Sequence, residues 1–168
     1  MGIHCMADQK FLPFIVRTKL HRPQIHGAYL QRQRLIDKLD QRRQRPLTLI
    51  SAPAGYGKTT LASSWLKTID IPNAWVSLDE TDSDLRVFLS YLLTAIQTIF
   101  PDFGRQNLTT VNASTLAPVA DLAGNLINDI DSIEQSFVLA LDDIHLIKDD
   151  PLLNCSTSCF VIHHPRCI

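Results

Sequence analysis

Ser51 to Thr60 read SAPAGYGKTT, directly behind the apolar run Leu47, Thr48, Leu49, Ile50. Glycines let successive backbone N–H groups turn toward one anion, and a helix opening at the lysine adds its positive end. The spacing G-x-x-x-x-G-K-[ST] is met by Ala52, Pro53, Ala54, Gly55, Tyr56, Gly57, Lys58 and Thr59, with Ala52 in place of the first glycine. In such a cradle Pro53, Ala54, Gly55, Tyr56, Gly57 and Thr60 surround the phosphates. Lys58 neutralises the outer ones, and Thr59 offers its hydroxyl to Mg²⁺. The plainer alternative is a Gly-rich turn with a solvated lysine.

A second cluster closes the run FVLALDDIH, Phe137 to His145. A carboxylate at the end of a buried strand can hold the shell of a divalent cation, and its neighbour can order an attacking water. Asp142 suits the metal side and Asp143 the water. Taken alone, two aspartates after an apolar run are more often a cap. Beside a phosphate cradle they gain a chemical purpose. His145 reads as a packed or capping residue and Trp75 as core.

These residues need a frame, and the spacing of apolar positions supplies one. Leu30, Leu35, Ile36 and Leu39 mark a short helix ending before Pro46; Leu47 to Ser51 is a strand. After the glycine loop, Leu61, Trp65, Leu66 and Ile69 recur at helical intervals up to Pro72, and Ala74 to Leu78 is a second strand. The acidic turn Asp79 to Asp84 offers caps for a helix carrying Leu85, Phe88, Leu89, Leu92, Ile96 and Ile99. Another helix spans about Thr115 to Ile133. The strand Phe137 to Leu141 then reads as buried on both faces. Strands alternating with helices predict an α/β domain whose parallel sheet is covered on both sides.

Composition agrees with one packed domain: 168 residues, 45% of them hydrophobic. The 16 Lys and Arg against 17 Asp and Glu leave a formal charge of −1, so no global field favours nucleic acid or an anionic membrane. The basic residues Arg32, Arg34, Arg42, Arg43 and Arg45 are interrupted by Asp37 and Asp40, and no recognition-helix pattern accompanies them. FLPFIV, Phe11 to Val16, is too short to span a membrane, and MGIHCM has Met6 where a myristoylation signal wants Ser or Thr. A cytoplasmic chain is expected.

The segments RTKLHRP (Arg17 to Pro23), LQRQRLIDKL (Leu30 to Leu39), SAPAGYGKTTL, AWVSLDETDSD, FLSYLLTAIQ (Phe88 to Gln97) and LALDDIHLI (Leu139 to Ile147) together resemble the ATPase module of MalT-like, LuxR-type transcriptional activators. These are bacterial signal-transducing ATPases of the STAND class. The likeness runs in order from about Val16 to Asp150. It implies a P-loop NTPase fold and a switch, with ADP holding the resting form and ATP plus an inducer permitting self-association. It also implies phosphate contacts from Gly55, Gly57, Lys58, Thr59 and Thr60, and Mg²⁺ and water at Asp142 and Asp143. Arg32 or Arg34 would close over the nucleotide. The chain itself is expected to bind ATP or ADP with Mg²⁺, to hydrolyse ATP slowly at most, and to bind neither DNA nor membrane. A small P-loop kinase acting on a separate substrate and a non-functional remnant are the alternatives.

The resemblance divides the chain into a lead-in (1–29), a nucleotide-binding domain (30–150) and an aberrant tail (151–168), expected to be out of frame or degenerate. In the tail, Cys155, Cys159, His163 and Cys167 recur every four residues, a spacing that could place metal ligands on one helix face. Pro165, Val161 and Ile162 oppose a helix there. The family also implies a further strand, lying between the loop strand and the Asp142 strand. Either SCFVIHH (Ser158 to His164) fills that slot, or the sheet has a gap with unpaired edges.

Overall fold

The computed structural model describes residues 14–25, 30–147 and 158–164. Cys5, Cys155, Cys167 and the start of the chain lie outside the described residues. In chain order the elements are α1 (Gln33–Gln41), β1 (Leu47–Ser51), α2 (Lys58–Thr68), β2 (Asn73–Ser77), α3 (Leu85–Gln97), α4 (Arg105–Val111), α5 (Val119–Asp131), β3 (Phe137–Asp142) and β4 (Ser158–His164). A 3-10 turn at Arg17–Leu20 precedes them.

The described strands form one sheet in the order β1-β4-β3-β2. β2 and β3 are parallel, with Trp75 opposite Ala140, as the alternation of strands and helices predicts. β4 corrects the expectation of an all-parallel sheet. It runs antiparallel to β1, with Leu49 opposite Phe160, and to β3, with Leu139 opposite Ile162. SCFVIHH therefore fills the central slot, in the opposite direction. A parallel strand needs a crossover connection, usually helical, whereas a chain returning from the end of the sheet where β3 stopped runs antiparallel.

Each face of the sheet has its own core. On one side Ile36 of α1 and Ala62, Trp65 and Leu66 of α2 cover Trp75, Val138, Ala140, Cys159 and Val161. On the other, Tyr91, Leu93 and Ile96 of α3, Val111 of α4 and Leu122 of α5 cover Val76, Leu139 and Leu141. All six residues of β3 are buried, which explains its unbroken apolar run. β1 is less covered, with Leu47 and Leu49 about half exposed.

Local signals set several boundaries. The Asp84 carboxylate accepts from the N–H groups of Arg86 (2.8 Å) and Val87 (3.2 Å) and opens α3. Asp79 and Asp82 form a reciprocal capping box on the turn between β2 and α3. Residues 14–25 cross the free side of β2. There Lys19 reaches Asp82, the Val16 N–H donates to the Tyr91 hydroxyl at 3.1 Å, and Ser63 Oγ donates to the Pro23 carbonyl at 2.6 Å.

Candidate functional site

The site forms where β1 and β3 end, at the mouth of the loop leading into α2. Gly55 (φ +80°) and Gly57 (φ +74°) both sit in the left-handed region. A side chain at Gly55 would meet no atom within 4 Å, so the glycine is required by backbone conformation rather than by space. Gly57 caps α2, and its carbonyl accepts from the Leu61 N–H at 2.9 Å. The loop is drawn in on itself: Lys58 Nζ donates to the Pro53 carbonyl at 3.2 Å, and the Tyr56 N–H to the same oxygen at 3.4 Å. Lys58 is 9% exposed, whereas Tyr56 stands out at 59%.

The fold joins the two sequence clusters directly. Thr59 Oγ1 donates to Asp142 Oδ2 at 2.8 Å across 83 residues of chain. Asp142 is 3% exposed, and its other oxygen, Oδ1, is buried without a hydrogen-bond partner. An orphaned carboxylate oxygen is costly to bury, and a cation or its water shell would satisfy it. Burial raises the pKa of Asp142; the Thr59 hydrogen bond and the Lys58 charge oppose that rise. The donor set, one hydroxyl and one carboxylate beside a lysine, is the hard oxygen chemistry that Mg²⁺ takes.

Asp143 takes a left-handed conformation (φ 56°) and heads the 3-10 turn Ile144–Leu146, its side chain 45% exposed. It follows the buried Asp142 directly in the chain and is itself open to solvent. His145 Nδ1 lies 3.9 Å from the Asp143 carboxylate and is largely buried. Trp75 is core, its indole N–H donating to Ser77 Oγ at 2.8 Å.

Arg32 is the residue before α1, and it borders a cavity of about 180 Å³ together with Gly57 and Thr60. Leu30, Ile36 and Leu61 give this cavity an apolar floor, and Ser64 lies at its edge. The cavity therefore lies beside the glycine loop, with Arg32 as its one charged lining residue. Arg34 is exposed on α1 and does not line it.

Sequence reasoning missed Cys159 as a neighbour of the site. It is fully buried on β4, one step past the pair Leu141–Phe160, and burial beside the Asp142 and Asp143 carboxylates pushes its thiol far up. No spacing in the sequence links the two clusters. Cys159 and His163 share one face of an extended strand, so their four-residue spacing puts them about 13 Å apart, too far to ligate one ion. Among the described residues there is no group of three or more His, Cys, Asp or Glu side chains able to hold a metal. Nor is any described helix long and apolar enough to cross a membrane.

No family model matches the chain. It is 33% identical over 152 residues to the HTH-type transcriptional regulator MalT of Klebsiella pneumoniae subsp. pneumoniae, a match covering 90% of this chain and 17% of that protein. It is 35% identical over 158 residues to the HTH-type transcriptional regulator MalT of Vibrio parahaemolyticus, covering 89% of this chain and 16% of that protein. The chain is thus MalT-like along most of its length, and it spans about a sixth of the curated relatives it matches.

Proposed function

We propose that this MalT-like chain is a nucleotide-binding switch module of P-loop NTPase type, taking ATP or ADP with Mg²⁺ and serving a bacterial transcriptional regulator in the cytoplasm. The observation that carries the reading is the Thr59–Asp142 hydrogen bond, which brings the cradle and the second carboxylate to one point and leaves Asp142 Oδ1 buried and unsatisfied. Thr59 and Asp142 would hold Mg²⁺, which when bound neutralises phosphate charge. Gly55 and Gly57 turn the backbone of the loop, and the N-terminus of α2 favours an anion. Lys58 exchanges its bond to the Pro53 carbonyl for phosphate oxygens. Arg32, Leu30, Ile36 and Leu61 take the base and ribose, and Asp143 orders the water for a slow hydrolysis. Self-association on binding ATP, which the resemblance implies, is part of the same proposal.

Titration calorimetry with ADP and ATP, with and without Mg²⁺, tests this reading. Saturable 1:1 binding is expected, weakened at least tenfold by Lys58→Ala and made indifferent to Mg²⁺ by Asp142→Asn. No heat of binding with either nucleotide, from chain shown to be folded by circular dichroism, would overturn it.

A further inference from the structure

We infer that β4 is an acid-released strand: neutral His163 seats it against Trp65 of α2, and a proton on His163 displaces it from the sheet. His163 is 6% exposed and Trp65 fully buried, their rings 5.5 Å apart and inclined at 54°. His163 Nε2 has no hydrogen-bond partner, and neither has Trp65 Nε1. The contact between strand and helix thus rests on shape and burial alone. A cation there gains some attraction from the Trp65 ring, but it loses its hydration and finds no acceptor for the proton on Nε2, and burial dominates.

No charge on the surrounding elements compensates. The cluster on this face is Ile36 from α1, Trp65 and Leu66 from α2, Val138 from β3 and Val161 from β4, with Cys159, further along β4, its titratable member. Burial alone acts on His163 and lowers its pKa; no charged neighbour contributes. Arg45 ahead of β1 and Lys67 at the end of α2 are exposed cations, and Glu134 ahead of β3 is an exposed anion. His164, on the opposite face of β4, is the internal contrast: its ring nitrogen meets the Ile133 carbonyl at 3.4 Å and it is only half-buried.

The sign follows from the lowered pKa. Above about pH 6.5 His163 is neutral whether β4 is docked or released, so pH has no effect through it. As pH falls below that value the released strand takes up the proton first, and each unit separating the two pKa values raises the released population about tenfold. Release would uncouple β1 from β3, because β4 is the strand that joins them.

The test uses the full chain with Cys5, Cys155 and Cys167 changed to Ser, leaving Cys159, fully buried on β4, as its sole thiol. Labelling by 4,4′-dithiodipyridine, normalised at each pH to the urea-unfolded chain, should rise severalfold from pH 7.5 to pH 5.0 while the helical part of the far-ultraviolet circular dichroism is kept. In His163→Phe the normalised rate should not change. Should that variant fail to fold, a Trp75→Phe chain reports instead, its Trp65 emission shifting reversibly to the red as β4 uncovers it, with a midpoint below pH 6.5; emission that does not shift overturns the inference. A flat labelling rate in the parent chain, an equal rise in His163→Phe, or loss of the circular dichroism signal at the same pH would each overturn the inference.

Discussion

Lys19 is bonded to both oxygens of Asp82, at 2.7 and 2.8 Å, and to Asp79 at 2.7 Å, with its ammonium 5.0 Å from the centre of the Tyr91 ring. The Asp82 side chain is 2% exposed and that of Lys19 16%, so this is a buried pair rather than a surface one. Lys19→Ala leaves the Asp82 charge uncompensated, at a cost of about 3 kcal/mol. For a chain of this size that is a fall of roughly 6–12 °C in melting temperature. Asp82→Asn in the same background removes the orphaned charge yet keeps an acceptor for the Asp79 N–H, now held at 2.8 Å. The double variant should therefore be more stable than Lys19→Ala alone. Urea unfolding of the four chains measures the cycle. A loss below 1 kcal/mol for Lys19→Ala, or strict additivity, would refute the argument. The pair also sets an acid limb. The hydrogen bond from Lys19 holds Asp79 down to about 2, so its contribution is present above about pH 3.8 and fades as pH falls toward 2. The Lys19 pKa is shifted the other way: burial works against its charge, but the hydrogen bonds it donates to Asp79 and Asp82 raise it.

Asp142 should behave in the opposite sense. Its raised pKa means that the ionised form destabilises the ligand-free chain, a cost relieved as pH falls through the folded value. Asp142→Asn should raise the melting temperature of the chain alone at pH 7 and abolish any Mg²⁺-dependent gain from nucleotide, both readable in one melting series. Gly57→Ala forces a β-carbon into a left-handed conformation at the cap of α2 (φ +74°) and should cost about 1–2 kcal/mol in urea unfolding, with weaker nucleotide binding as well.

Much of this arrangement is legible in the sequence because local rules dictate it. Gly55 and Gly57 advertise positive φ, and Lys58 and Thr59 follow at the one spacing that opens a helix on the loop. The FVLAL run reads as a strand buried on both faces, so the aspartate after it lands at the C-terminal end of an interior strand. The rest depends on tertiary partners. α4 carries Asn107, Thr109 and Thr110, poor helix formers, and is held by Val111 and Leu108 against the α3 side and by Asn107 Nδ2 donating to Asp129 at 2.7 Å. The apolar, β-branched core of SCFVIHH suits a strand, yet its direction is set by where the chain re-enters the sheet. Cys159 beside Asp142, and Lys19 beside Asp82, are meetings between distant segments that no local spacing encodes.

The most direct test of the central claim is the melting temperature of the full chain with and without Mg-ADP and Mg-ATP, run beside Lys58→Ala. A ligand at a hundred times its dissociation constant stabilises a fold by about 2.7 kcal/mol, roughly 5–10 °C here. The account predicts a rise of that size, absent in Lys58→Ala. A cooperative melt that neither nucleotide moves would contradict it.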